Sequence, residues 1–392
     1  LMVYWIYTSY YPNRFNADIF KYYDDSEIIY NSLKDHPLDF LRILFSLDID
    51  NEYFFDNYYI NMNHWDNPYD TNLFNDSHTI IRINSIIRIF SFDNYFVHIL
   101  FFCMIGLIGL FALFKAVVDY FPEKETLLKW CIFFYPSILF WSSGVLKEPI
   151  LLFSLGFIIL SLLNITNNKS SYKDFFILVI ALLVLFYIKF YILFAFLPLL
   201  IPFFINKKRK IKFQIISYLI SIIVFTAIGI SIELIFPSID LLDLLDKKQQ
   251  SFITMAEFQG AGSYFEITNI EPNIFSIINA IPEGILNCFV RPLPWNVSSL
   301  IQIPPIIENL TIIMLLSISL YHIMYLKSFK KITSTNFILL CIFFTLLTFI
   351  IIGITTPISG TLVRYKVPAL PFLTLIILML INTNSLKKIR TK

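Results

Sequence analysis

The stretch YFVHILFFCMIGLIGLFALFKAVV, residues 95–118, holds one histidine, one lysine and no acid in an otherwise apolar and aromatic run. A helix needs about 20 consecutive, largely apolar residues to cross a bilayer, and this stretch supplies them. Comparable runs recur near 127–142, 149–165, 213–236, 305–326, 337–356 and 367–382. The run from Phe175 to Ile205 is too long for one upright helix and carries Lys189 at its middle, so it reads as two short helices that turn there at an interface, with one long tilted helix as the alternative. Leu1–Tyr11 lacks the basic start and small-residue cleavage site of a signal peptide, and reads as the outer end of a helix that begins before Leu1.

Composition carries the same message. Of the 392 residues, 57% are hydrophobic and 15% charged, with 42 Phe and a mean hydropathy of +0.70. One compact core cannot hide that much apolar surface from water, so lipid must solvate much of it. The expected fold is therefore all-α: a polytopic helical membrane protein with about ten transmembrane helices, forming a single integral membrane domain over residues 1–392.

Charge orients the chain. Residues 11–94 hold 14 acidic and 6 basic side chains, a net −8, so the rest carries +10 to reach the overall +2. Lys207-Lys208-Arg209-Lys210, Lys327 with Lys330-Lys331, and Lys387-Lys388-Ile389-Arg390 mark the cytoplasmic side. That places a large first extracytoplasmic loop at 11–94, the turn 143–148, a second large loop at 237–304 and the segment 357–366 outside, with both ends inside. Within the first loop, Ile80, Ile81, Ile83, Ile86, Ile87 and Ile89 interleave with Arg82, Asn84, Ser85 and Arg88, the pattern of an amphipathic helix lying on the membrane surface. Ile239–Met255 reads similarly, with Ser238 as its N-cap.

Basic residues in outer loops run against the positive-inside bias, so each needs a reason. Lys147 follows the turn Trp141-Ser142-Ser143-Gly144 and is followed by Glu148; Arg291 opens Arg291-Pro292-Leu293-Pro294-Trp295; Arg364 precedes Tyr365, Lys366 and Pro368; Arg82 and Arg88 line the first-loop helix. Cations beside aromatic residues at one membrane face suit a lipid-linked phosphate, which guanidinium groups bind bidentately while the polyprenyl tail lies between helices. Such residues also serve as interfacial anchors whose heads snorkel to headgroups, the simpler role for Arg82, Arg88 and Lys366. The first loop supplies acids at Asp18, Asp24 and Asp25, where a carboxylate at the membrane surface can act as general base; helix capping is their structural alternative. Asp48, Asp50, Asp56, Asp66 and Asp70 read as a solvated acidic surface.

No metal site is expected. Cys103, Cys131, Cys288 and Cys341 stand apart and read as small apolar helix residues, and the acids lack calcium-loop spacing. His36, His64, His78, His98 and His322 form no catalytic or zinc-binding grouping. Nucleic acid is not an expected partner.

In three stretches the chain resembles the GT-C glycosyltransferases, polytopic enzymes that take a sugar from a polyprenyl-phosphate carrier. These are Asp18 four residues ahead of Tyr22, the Tyr135-Pro136-Ser137…Trp141-Ser142-Ser143-Gly144…Lys147-Glu148 segment, and the Arg364-Tyr365-Lys366-Val367-Pro368…Pro371 approach to the last helix. The resemblance implies that Asp18 is the first-loop catalytic acid and Arg364 a contact to the carrier phosphate. It also implies a lipid-linked sugar donor, no certain cofactor, membrane lipid and polyprenyl-phosphate carrier as partners, and a glycan, lipid or protein acceptor. The family often has two adjacent acids before the Tyr, whereas Ile19 follows Asp18 here, which keeps Asp24 and Asp25 as rivals. The turn from Arg291 to Trp295 has no counterpart in the best-known members. A polysaccharide polymerase or ligase, and a transporter or flippase of lipid-linked glycan, are the alternatives. Abundant Ile, Asn, Lys, Phe and Tyr point to an AT-rich bacterial genome and an inner-membrane location with an extracytoplasmic active site.

Overall fold

The computed structural model describes residues 1–392 except 11–16, 48, 66–75, 168–170, 207–209, 238, 259, 296, 298, 327–334 and 381–392. The three basic clusters expected on the cytoplasmic side fall outside it apart from Lys210, as do Asp48, Asp66, Asp70 and Ser238. Among the described residues the fold is all-helical, with a lone antiparallel bridge between Tyr264 and Ile358. In chain order the helices are α1 (Met2–Trp5), α2 (Asp18–Asp35), α3 (Pro37–Phe45), α4 (Glu52–Asn57), α5 (Asp76–Ser91), α6 (Tyr95–Val117), α7 (Glu125–Phe133), α8 (Pro136–Trp141), α9 (Glu148–Thr166), α10 (Tyr172–Ile188) and α11 (Phe190–Ile205). They continue with α12 (Ile211–Ser231), α13 (Leu241–Phe258), α14 (Ile274–Val290), α15 (Ile303–Leu326), α16 (Thr335–Thr355), α17 (Ser359–Lys366) and α18 (Leu370–Leu380).

Among the described residues, five helical stretches are long and apolar enough to cross a membrane: Tyr95–Tyr120, Glu148–Thr166, Ile211–Leu234, Leu300–Tyr321 and Thr335–Thr355. α17 and α18 together make a sixth, bent by 64°. α11 and α14 are apolar but shorter. The run 175–205 is divided at Lys189 into α10 and α11, as the lysine's position predicts. The run 127–142 is not one helix. It breaks into α7 and α8 ahead of Pro136, because a proline disfavours helical backbone in the residue before it and has no N–H to donate.

The chain forms two compact units. The first comprises Leu1–Leu113, Leu139–Ser161 and Tyr172–Phe190. α2 starts after extended Ala17 with Asp18 in its first turn, where a carboxylate complements the helix dipole. It stops at His36, since Pro37 restricts that residue and opens α3. Tyr53 and Tyr58 both donate their hydroxyls to Asp39 Oδ2, at 2.8 and 2.9 Å, which holds the α4 end onto α3.

α5 packs against α2 and α10. Its isoleucine stripe is divided: Ile80, Ile81 and Ile87 are buried against protein, whereas Ile86 and Ile89 stay exposed. Periodicity defines an apolar face and leaves open what covers it; here α2 and α10 are the elements packed against α5. His98 on α6 bonds Asn84 Oδ1 at 2.7 Å and Ser91 Oγ at 3.0 Å, joining α5 to α6 through buried polar groups. α6 and α9 cross at Gly109 and Gly156, where a Cβ on either would overlap the other helix's backbone, the close approach that small residues allow in membrane helices.

The second unit comprises Phe114–Ile138, Leu162–Ser171 and Tyr191–Lys392. α14 and α16 make an equally close crossing at Gly284 and Gly353. Pro198 and Pro202 lie inside α11, and the Ser221 hydroxyl of α12 donates to the Pro198 carbonyl at 2.5 Å. A neighbouring helix thereby satisfies a backbone group that apolar solvent would not. α13 is capped by Asp240, whose Oδ1 accepts the N–H groups of Leu242 and Asp243 at 2.8 and 3.2 Å. Buried Gln249 then donates to the Ile354 carbonyl at 2.6 Å and accepts from the Ile270 N–H at 2.9 Å, fixing α13 to the end of α16.

Candidate functional site

The first unit gathers most of the charged residues singled out in the sequence. Asp18 occupies the first turn of α2 with its side chain 37% exposed, and one of its oxygens lies 3.9 Å from Nε2 of His64. Tyr22, one turn on and buried, meets the His64 ring edge to face at 5.1 Å between centroids. The Lys147 ammonium lies 5.4 Å from the Tyr22 ring centroid and donates to Ser77 Oγ at 3.3 Å. Asp18, Tyr22, His64, Ser77 and Lys147 thus share one locality, although they come from α2, a loop, the start of α5 and the turn before α9.

The three acids separate by environment. Asp24 is exposed on α2. Asp25 is 1% exposed, and its carboxylate accepts the backbone N–H groups of Asn63 and His64, both at 2.7 Å. Burial pushes the Asp25 carboxyl up and these donors pull it back. With both oxygens engaged, Asp25 holds the loop that carries His64 rather than facing a reactant. Asp18 alone combines partial exposure with a proton-accepting neighbour. Burial also holds the His64 imidazole below its ordinary value; Asp18 opposes that shift, and Lys147 and Lys21 add to it.

The arginines of the first loop divide likewise. Arg88 is 2% exposed: its Nε donates to Ser26 Oγ at 2.9 Å, while its terminal nitrogens reach Asp93 Oδ1 at 2.5 Å and the Tyr23 carbonyl at 2.8 Å. Its guanidinium also covers the Tyr23 ring at 4.0 Å, so it fastens α5 to α2. Arg82 is half-buried over Trp65 at 5.2 Å, and Trp65 stacks with Tyr59 and His78 at 4.5 and 3.8 Å. Glu148 and Lys189 are nearly fully buried and form an ion pair at 4.0 Å between the start of α9 and the α10–α11 break.

In the second unit, Arg291 ends α14 and precedes a cis peptide to Pro292. Its guanidinium lies 3.9 Å from the Phe265 ring centroid and its Nε donates to Asn287 Oδ1 at 3.0 Å. Arg364 is half-exposed on α17. Two residues on, buried Lys366 donates to the Cys288 carbonyl at 2.8 Å and to Asn309 Oδ1 at 3.0 Å, and approaches the Arg291 carbonyl at 3.4 Å. Lys366 is therefore an internal tie between α14, α15 and α17, not a headgroup anchor. It brings the turn bearing Arg291 next to the helix bearing Arg364. Tyr365 packs near Phe252 and Tyr191, with centroids 5.9 and 6.2 Å away, and Trp295 is 77% exposed.

His64 is the neighbour of Asp18 and Tyr22 that the sequence did not single out. It follows Asn63 in an irregular loop, far along the chain from Asp18, and no motif spacing marks it. The only signal available was its place in an acidic first loop. No family model, no curated protein and no solved structure matches this chain.

Proposed function

We propose that the protein is an integral-membrane glycosyltransferase of GT-C type that moves a sugar from a polyprenyl-phosphate donor to a glycan, lipid or protein acceptor. The observation that carries this reading is Asp18, a partly exposed carboxylate at a helix start, set beside the His64 imidazole in the neighbourhood of buried Lys147. In the reaction the acceptor hydroxyl loses its proton to Asp18 and its oxygen attacks the anomeric carbon. The bond from that carbon to the phosphate oxygen breaks, and its electron pair leaves on polyprenyl phosphate. The family resemblance gives Arg364 the part of the carrier-phosphate contact, a role carried by its sequence context, and Arg291 lies on a neighbouring turn of the same unit. About ten spans, an extracytoplasmic site and a bacterial inner membrane complete it, with the basic clusters inside.

The test is the purified protein in nanodiscs, given polyprenyl-phosphate sugars and a panel of acceptors, with release of free polyprenyl phosphate as readout. Sugar transfer that disappears in Asp18→Asn is the expected result. A second reading, a transporter of lipid-linked glycan, is favoured by the buried Glu148–Lys189 pair beside a helix break. Translocation of the intact lipid-linked glycan across vesicles, lost in Glu148→Gln and without any release of polyprenyl phosphate, would replace the first reading with this one.

A further inference from the structure

His64 differs from the histidines that hold this fold together. His98 has both ring nitrogens bonded, to Asn84 and Ser91, and His78 Nε2 meets the Trp65 carbonyl at 2.7 Å. Among the described residues, Nδ1 of His64 is buried with no hydrogen-bond partner, and Nε2 points toward Asp18 at 3.9 Å. That distance is beyond a hydrogen bond and within reach of one after a small movement, as catalytic pairs without substrate often are. The fold nevertheless fixes this ring firmly: Asp25 clamps the His64 backbone, and Tyr22 abuts its face. A largely buried imidazole held in this way, with no hydrogen bond through its ring among the described residues, suits proton exchange better than bracing a turn.

We propose that His64 is the proton relay of the active site, taking from Asp18 the proton that Asp18 removes from the acceptor hydroxyl. This rests on the transferase reading above. The acceptor O–H breaks and its proton goes to Asp18. It then passes to the Nε2 lone pair of the Nδ1–H tautomer, regenerating the Asp18 carboxylate beside an imidazolium, which returns the proton to water. Burial disfavours the charged ring, and the charged groups around it modulate that balance. Asp18 and Asp25 on α2 favour the imidazolium; Lys21 on α2 and Lys147 before α9 oppose it, so the ring gives up the proton readily. Because His64 acts through Asp18, it positions and moves a proton without touching the sugar.

Two measurements decide it. In nanodisc protein labelled with ¹⁵N-histidine, the His64 titration midpoint should fall in Asp18→Asn, because the carboxylate that favours the imidazolium is gone. An unchanged midpoint overturns the pairing. The resonance is assigned by His64→Gln or, should that variant not fold, by elimination through variants at His36, His78, His98 and His322. In the second measurement, the rate of sugar transfer by the wild type should decline as pH falls through that midpoint. His64→Gln should slow transfer by about 10²-fold at neutral pH and shift the acid limb downward. A slowed variant with its acid limb in the original place would make His64 merely structural. Absence of sugar transfer in the wild type would remove the transferase reading, while the titration would still decide whether the two groups share a proton.

Discussion

Asp25 and His64 are joined backbone to side chain: the Asp25 carboxylate accepts the His64 N–H at 2.7 Å, and its other oxygen accepts the Asn63 N–H at the same distance. A buried carboxylate in the second turn of α2 thereby shapes a loop far downstream and delivers an imidazole to the first turn of that helix. Asp25→Asn keeps the size but offers one acceptor where two are needed, leaving one of these part-buried N–H groups without its acceptor. Removing a hydrogen bond to a charged group costs about 1.5–3 kcal/mol, so the unfolding free energy should drop by that amount and the unfolding temperature should fall with it. Proteolysis near Asn63 should speed up in the folded protein. Unchanged stability and unchanged cleavage would mean that the loop holds its shape without Asp25.

Stability should depend on pH through His64 with a definite sign. Burial holds the imidazole below its ordinary 6.5, so the unfolded chain takes up the proton first. The folded state is therefore favoured above about 6.5 and loses ground as pH falls from there through the lower folded value. Comparing unfolding temperatures at about pH 7.5 and about pH 5.5, the drop should be larger in the wild type than in His64→Gln, where the titrating group is gone. Equal drops would place the titration elsewhere.

Arg88 and Arg364 should fail in different ways. Arg88 is sealed between α2 and α5 with Ser26, Tyr23 and Asp93 as partners, so Arg88→Ala should destabilise the protein by about 2–4 kcal/mol. At a temperature where the variant stays folded, donor affinity should be close to that of the wild type. Weakened donor binding at full stability would instead put Arg88 in contact with the substrate.

Much of the architecture was legible. Long apolar runs named the helices of Tyr95–Tyr120, Glu148–Thr166 and Thr335–Thr355, and Lys189 marked a break, because a buried charge and an over-long run are both visible in one dimension. The site was legible only in part. Asp18 and Tyr22 lie one helical turn apart, so their spacing showed them together. His64 reaches Asp18 through a loop pinned by Asp25, a tertiary event that leaves no periodic trace. The same limit explains α5, whose apolar stripe was plain while its partners α2 and α10 were not, and Lys366, whose acceptors lie on α14 and α15.

The topology makes its own prediction. With the basic clusters inside, exposed Glu52 of the first loop and exposed Glu271 of the second both face outward, and exposed Lys210 faces the cytoplasm. Single cysteines at Glu52 and Glu271 should react with an impermeant thiol reagent in intact cells, and one at Lys210 only after lysis. The reverse pattern would invert the chain and move the proposed site to the cytoplasmic face.

The roles assigned to Asp18 and Arg364 separate in steady-state kinetics. In the proposed reaction Asp18 accepts a proton only as the acceptor oxygen attacks, so Asp18→Asn would remove stabilisation present in the transition state and absent from the bound donor. Turnover should drop by about 10²–10⁴ with donor KM little changed. Arg364 is a half-exposed cation whose proposed partner, the carrier phosphate, is charged before and after the sugar leaves. Its contact stabilises ground and transition states alike, so Arg364→Ala should raise donor KM more than it lowers turnover. Lysine at this position should restore part of the affinity, since the charge returns without the bidentate fork. A pattern with the two effects exchanged would make Arg364 the group that meets the developing charge and Asp18 a ligand of the donor. Normal turnover in Asp18→Asn, Asp24→Asn and Asp25→Asn alike would leave the reaction without its base and turn attention to the buried Glu148–Lys189 pair.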